Sequence, residues 1–309
     1  MGVIALFPGQ GSQAPGMGKE WFQDFPIARE IFESASEFLK LDFQKLCFEG
    51  PEAELLKTEN TQPCLLLLSC LGFKILESEL KFAPTAGAGH SLGEYSALVS
   101  AGALDFKDAL RVVRRRGELM AEAGRDGSAG MLAVLGIGPE DAEGLCQEAG
   151  GGEVLVPANF NAPGQVVISG TNSALLRAQN FLKERKLRGI RLKVSGAFHS
   201  PMMESASQGV AQVLAEVNFH PFRFPVISNL EAKAYPDPES SREILVKQVV
   251  SPVRWLESVQ HLLGMKPTAF IEIGPGKVLA GLMKKIAPEI PVYNFSNTGD
   301  LKELGSIFC

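Results

Sequence analysis

Apolar residues fill the run Val3-Ile-Ala-Leu-Phe7 without a break, and Pro8-Gly9 ends it. A short unbroken run closed by a turn signal predicts a strand buried on both faces. Over residues 24–46 apolar positions recur at helical spacing among charges, and a longer apolar helix is expected over 62–76, starting near Gln62-Pro63. Pro84-Thr-Ala-Gly-Ala-Gly89 reads as a short strand running into a glycine-flanked turn, with helices following over 92–101 and 108–123. Strands that alternate with helices are the signature of the α/β class. Ala269-Phe-Ile-Glu-Ile273 reads as another buried strand.

Between residues 127 and 194 the rhythm shortens. Met131-Leu-Ala-Val-Leu135, Glu153-Val-Leu-Val156, Val166-Val-Ile-Ser169 and residues 188–194 read as strands, while 139–149 and 172–186 read as helices. The order β-α-β-β-α-β is that of a ferredoxin-like unit. Gly127, Gly130 and Gly196 bracket it. The expected organisation is a larger α/β body over residues 1–126 and 197–309, interrupted by a ferredoxin-like subdomain over 127–196.

Composition narrows the function classes. A chain of 309 residues matches roughly two domains. Hydrophobic residues at 45% and charged residues at 21% are ordinary globular values and exclude a disordered or fibrous chain. The net charge of -5 gives no overall basic field, and no basic-aromatic module is present, so nucleic acid is not an expected partner. Cys47, Cys64, Cys70, Cys146 and Cys309 are scattered, with no C-x-x-C pair. Reduced thiols in a cytoplasm are expected, and neither a disulfide framework nor a metal site is. The start carries no basic n-region ahead of its short apolar run, Leu6 stands where myristoylation needs Ser or Thr, and Cys309 is in no CaaX box. The longest apolar stretch, 64–73, is interrupted by Ser69 and Gly72 and falls short of the about 20 residues a span requires, so a membrane is not expected either.

Candidate chemistry begins at Gly89-His-Ser-Leu-Gly93, a G-x-S-x-G pattern between a strand and a helix. Such a turn exposes the Ser91 hydroxyl at a helix N-terminus, where the free N–H of Leu92 is a natural donor to a developing oxyanion. The plain alternative is a serine that merely caps a helix; the strand-turn-helix setting favours the nucleophile. A serine nucleophile needs a base. Of His90, His199, His220 and His261, His199 lies in the turn-rich Ser195-Gly-Ala-Phe-His-Ser-Pro201 and is the expected base. His90 is expected to point away across the turn, and His220 and His261 to be surface or structural residues. No carboxylate suits the third place of a triad: Asp237 and Glu239 fall in a proline-rich loop and Glu272 within a strand. A backbone carbonyl can orient the imidazole in its stead.

One charge sits on the wrong face of its helix. With Ala109 at 0° and about 100° per residue, Val113 falls at about 40°, Met120 at about 20° and Arg116 at about 340°, inside the apolar stripe. Arg111, Arg114 and Arg115 fall on the polar side. An inward guanidinium needs a partner, because burying it unpaired costs several kcal/mol. That partner is either a carboxylate of the chain or a ligand, and a planar fork suits a ligand carboxylate bidentately.

Six blocks occur in order: Phe7-Pro-Gly-Gln-Gly-Ser-Gln13, Gly89-His-Ser-Leu-Gly-Glu-Tyr95, Arg116-Gly-Glu-Leu-Met120, Gly196-Ala-Phe-His-Ser200, Gln248-Val-Val-Ser-Pro-Val253 and Ile273-Gly-Pro-Gly276. Together they resemble the malonyl-CoA:acyl-carrier-protein transacylases of fatty acid synthesis. The resemblance implies an α/β-hydrolase-like body with a parallel sheet plus an inserted ferredoxin-like subdomain. It implies malonyl transfer from malonyl-CoA to the phosphopantetheine thiol of acyl carrier protein through Ser91. His199 would be its base, the N–H groups of Gln10 and Leu92 its oxyanion hole, and the carbonyl of Gln248 the group orienting the histidine. Arg116 would hold the malonyl carboxylate, and Asn161, in Asn159-Phe-Asn-Ala-Pro-Gly-Gln165, would contact substrate from the subdomain side. Ala197-Phe-His-Ser200 is the pattern that accompanies malonyl preference in related acyltransferases. No metal or bound cofactor is implied, since pantetheine is part of both substrates. A basic set, Lys183, Arg185, Lys186, Arg188, Arg191 and Lys193, is a candidate docking face for an acidic carrier protein, or simply solvated surface. The competing class is a serine hydrolase with the same elbow, although there the order Ser…Asp…His puts the histidine near the chain's end.

Overall fold

The structure is a computed structural model and describes residues 2–308; Met1 and Cys309, and with them the expectations about the extreme start and the terminal thiol, lie outside the described residues. The first half runs β1 (Val3–Phe7), α1 (Lys19–Asp24), α2 (Pro26–Leu39), α3 (Glu52–Leu55), α4 (Thr58–Leu80), β2 (Ala86–Gly89), α5 (Gly93–Ser100) and α6 (Phe106–Ala123). The middle runs β3 (Ala129–Leu135), α7 (Pro139–Gly150), β4 (Leu155–Ala162), β5 (Gln165–Thr171), α8 (Asn172–Glu184) and β6 (Arg188–Arg191). The chain then continues through α9 (Glu204–Leu214), β7 (Val226–Ile227), α10 (Ser241–Gln248), α11 (Trp255–Leu263), β8 (Ala269–Ile273), α12 (Val278–Ile286), β9 (Val292–Phe295) and α13 (Thr298–Phe308).

Two sheets result. The five-stranded sheet has the order β7-β2-β1-β8-β9 with parallel pairs throughout, and the four-stranded sheet, β4-β5-β3-β6, is antiparallel. The fold is therefore α/β, an α/β-hydrolase-like body with a parallel sheet plus an inserted ferredoxin-like unit. All five residues of β1 and of β8 are buried, because helices cover both faces of a parallel sheet. Val3, Ala5 and Phe7 join one core while Ile4 and Leu6 join another on the opposite face. A third core lies between the antiparallel sheet and helices α7 and α8.

The differences from the sequence reading are local and have causes. The helical pattern over 24–46 is broken: Phe25 is extended ahead of Pro26, which opens α2, and Lys40 ends that helix at φ 54. A π-helical turn follows over Lys45–Glu49. Helix α4 begins at Thr58 and carries Pro63 inside it. The N–H that proline lacks would have bonded the Glu59 carbonyl, which accepts instead from Arg114 Nη1 at 3.1 Å. Strand β4 runs on to Ala162 with two register shifts against β5. It also pairs with the body, Phe160 N donating to Val253 O at 2.9 Å and Val253 N to Ala158 O at 2.8 Å. The two sheets are thus tied together beside the cleft. Strand β6 stops at Arg191, and the chain beyond it turns Leu192 and Val194 toward the cleft. Cys47, Cys64, Cys70 and Cys146 are buried free thiols. Among the described residues no helix is long and apolar enough to cross a membrane.

Candidate active site

Strands β1 and β2 end in register, Phe7 beside Gly89, so Pro8-Gly9-Gln10 and His90-Ser91 emerge together at the carboxyl edge of the sheet. Ligands of open α/β sheets bind at this edge. The glycines of the elbow are required by contact. A Cβ on Gly89 would lie 1.9 Å from the Gly93 carbonyl carbon, and one on Gly93 would lie 2.0 Å from the Phe7 oxygen. Between them Ser91 adopts φ 52, a left-handed conformation that costs a non-glycine residue energy. The surroundings hold it there: Ser91 N donates to Asn229 Oδ1 at 2.6 Å, Asn229 Nδ2 to Gly89 O at 2.7 Å, and Gln248 Nε2 to Ser91 O at 2.9 Å.

Ser91 Oγ lies 2.7 Å from His199 Nε2. On the other side of the ring, His199 Nδ1 faces two carbonyl oxygens, Gln248 O at 3.0 Å and Ser251 O at 3.1 Å. Two acceptors on Nδ1 fix its proton there, which leaves the Nε2 lone pair for the serine hydroxyl. The Gln248 carbonyl is one of the two, and Ser251 supplies a second that the sequence did not flag. Burial, then the Arg116 charge and His90, push the His199 imidazole down to about 3 against the two carbonyl bonds. The ring is neutral. Glu272 is occupied elsewhere, accepting from Leu279 N and Ala280 N at the start of α12.

Arg116 is only 1% exposed. Its Nη1 donates to Gln62 Oε1 at 2.8 Å, and its Nη2 to Gln248 Oε1 at 3.0 Å and to Ser91 Oγ at 3.2 Å. The guanidinium sits 5.6 Å from the Tyr95 ring centroid, a cation–π contact. Among the described residues no carboxylate forms an ion pair with it, and its Nε is buried with no hydrogen-bond partner. The cation inferred from the helical stripe is therefore held by neutral groups, two of its five N–H donors (Nε and one on Nη1) have no acceptor among the described residues, and a nucleophile stands against its fork.

These residues line a cavity of about 100 Å³, far below the roughly 300 Å³ at which drug-sized sites begin. Its polar wall includes Gln10, Gln62, His90, Asn159 and the Ser91–His199 pair, and its apolar wall is Leu92, Met120, Met131, Leu192, Val194 and Phe198. The amides of Gln10 and Leu92 have no acceptor among the described residues. Gln10 Nε2 donates to Thr58 Oγ1 at 3.3 Å. His90 departs from expectation: it faces the cavity, its Nε2 lies 2.8 Å from Asn161 Oδ1, and burial lowers its basicity. Asn161, at a register shift of β4, is bound to His90 and does not line the cavity, where Asn159 stands two residues earlier. His220 and His261 are exposed. Gln62, Asn229 and Glu94 were not anticipated. No local signal marked them: Gln62 follows the polar run Thr58-Glu-Asn-Thr61 at the start of α4, and Glu94 shares α5 with Tyr95, Ser96 and Ser100.

A hydroxyl bonded to a neutral imidazole, two free amides and an unpaired buried cation define an acyl-transfer site for a group bearing its own negative charge. The chain matches the acyl transferase domain family over residues 5–294 and belongs to it. It is 46% identical over 291 residues to malonyl CoA-acyl carrier protein transacylase of Bacillus subtilis (strain 168), covering 92% of this chain and 90% of that protein. The crystal structure of malonyl CoA-acyl carrier protein transacylase from Clostridium perfringens superposes with a TM-score of 0.95 at 37% identity, covering 99% of this chain and 97% of that one. A malonyl-transacylase solved in complex with its type II PKS acyl-carrier protein superposes with a TM-score of 0.96 at 39% identity, covering 99% and 100%.

Proposed function

We propose that this chain is an acyltransferase that moves malonyl from malonyl-CoA to the phosphopantetheine thiol of acyl carrier protein, supplying the extender unit of fatty acid synthesis. The observation that carries the reading is the buried Arg116, paired with no carboxylate of the described chain and 3.2 Å from a hydroxyl that itself contacts a neutral histidine. His199 Nε2 takes the Ser91 proton as Oγ attacks the thioester carbonyl. The N–H groups of Gln10 and Leu92 receive the oxyanion, each such donor being worth about 3 kcal/mol. Coenzyme A leaves with the proton from His199, and the carrier thiol then repeats the sequence in reverse on the malonyl-serine ester.

Arg116 binds the free malonyl carboxylate through its unused Nε and the Nη2 edge. That contact offsets the Arg116 charge, which after burial is the second cause of the lowered His199 basicity, so substrate binding moves the imidazole upward. Acetyl leaves the cation unpaired, which is the basis of selection. Asn161 acts on substrate through His90. Residues 127–196 form the ferredoxin-like subdomain, and residues 1–126 with 197–309 the catalytic body. The compartment is the cytoplasm, the pantetheine arm belongs to the substrates, and no metal or bound cofactor takes part. The exposed Arg188, Arg191 and Lys193 stand next to the cavity-lining Leu192 and Val194, and this basic edge receives the acidic carrier protein.

Incubation with malonyl-CoA followed by intact-mass measurement tests the reading. A malonyl adduct is expected on Ser91, dischargeable onto the carrier thiol and missing in Ser91→Ala. Release of free malonate without transfer would mark a hydrolase.

A further inference from the structure

Glu94 follows Gly93 in the elbow, is buried, and does not line the cavity. Its carboxylate accepts from Tyr235 Oη at 2.5 Å, Gln248 Nε2 at 2.7 Å and Asn229 N at 3.2 Å. Burial pushes the carboxyl up to about 7 against those bonds and the Arg116 charge. Gln248 therefore has an acid at one end of its amide and a cation at the other. Its Nε2 faces Glu94 and the Ser91 carbonyl, while its Oε1 accepts from Arg116 Nη2 at 3.0 Å. A half-turn of that amide would set oxygen against carboxylate and NH₂ against guanidinium, so charge fixes its orientation.

A carboxylate touching Arg116 would saturate the fork from within, and a site with no counter-charge would bear the full cost of a buried cation. We propose that Glu94 and the Gln248 side chain are positioning residues that set acyl selectivity by holding a counter-charge one amide away from Arg116. Ionised, at pH above about 7, Glu94 supports the cation at that remove and leaves its donors open to the substrate's free carboxylate. The inference rests on Arg116 as the malonyl-binding group.

The test is the ratio of Ser91 acylation rates by malonyl-CoA and acetyl-CoA at subsaturating thioester, a readout that general loss of structure does not move. The double variant Glu94→Gln with Gln248→Glu keeps net charge and side-chain types and brings the carboxylate onto Arg116; it also gives up the Gln248 Nε2 bond to Ser91 O, a loss that falls on both thioesters alike and cancels in the ratio. Its malonyl-to-acetyl ratio is expected to fall about tenfold or more. Glu94→Gln alone removes the partial quenching, and its ratio is expected to rise about threefold; the Tyr235 hydroxyl can turn to accept from the new amide. An unchanged ratio in the double variant, or a falling ratio in Glu94→Gln, overturns the proposal. Should the double variant lose its thermal unfolding transition, the direction in Glu94→Gln decides alone. Arg116→Ala separates the two levels. A ratio unmoved by Arg116→Ala removes the reading of Arg116 itself, whereas a collapse there with unmoved Glu94 and Gln248 variants removes only this inference.

Discussion

The two sheets contribute to the cleft in different currencies. The parallel-sheet body brings Ser91 and both free amides just past strand ends, Arg116 and Gln62 on helices, and His199 on a turn held by the Gln248 and Ser251 carbonyls. The antiparallel sheet and the segment after it bring Met131, Leu192 and Val194, with Asn159 and Asn161 as their polar members. Charged chemistry thus sits where hydrogen bonds from several elements converge, and the smaller unit shapes the space above it. The contrast also separates two classes of arginine. Arg116 is buried on α6 with a free donor, while Arg115 on the next position is exposed and pairs with Glu118 at 3.2 Å.

Substitutions on the two sides should differ in size and in kind. The largest effect belongs to the nucleophile pair. His199→Ala is expected to slow acylation by about 10⁴-fold or more, and adding Ser91→Ala should cost little beyond either single change, because the two act as a unit. Stopped-flow release of coenzyme A measures both, and additive losses would break the pairing. Next comes Arg116→Ala, expected to reduce malonyl transfer by about a hundredfold while acetyl transfer holds or grows. The same substitution removes a positive charge that depresses His199. A lowered base pKa keeps the neutral ring down to acid pH, so acetyl-CoA acylation by the unaltered chain should show no His199 limb at the ordinary value of about 6.5. In Arg116→Ala that limb should move upward toward neutrality. On the lobe side, Leu192→Ala should slow malonyl and acetyl transfer alike, by less than about tenfold, since it removes only apolar fit. Smallest is charge reversal at Arg188 and Arg191, expected to raise the carrier-protein KM a few-fold with malonyl-CoA kinetics unchanged. A selectivity change in Leu192→Ala would erase the division between the sheets.

Much of this was legible beforehand because the signals were local. An unbroken apolar run marked β1, a run interrupted only by Glu272 marked β8, and the helical stripe placed Arg116 inward before any partner was known. The misses came from tertiary pairing. The length of β4 depends on β5 and on Val253, neither adjacent in sequence, and Pro157, Asn159 and Asn161 disguised it. His90 was misdirected for a related reason: the elbow turn alone does not say that Asn161, 71 residues away, will face it. Gln62, Ser251, Asn229 and Glu94 reach the site through long-range hydrogen bonds, and single-sequence spacing does not encode those.

The most direct measurement is a crystal structure of the chain malonylated on Ser91. The expected density shows the acyl carboxylate on the Arg116 Nε and Nη2 edge, with the Nη2–Ser91 contact given up and the ester carbonyl on the amides of Gln10 and Leu92. A carboxylate lying in solvent, with Arg116 still bound to Gln62 and Gln248 or turned onto an acidic side chain of the protein itself, would contradict it.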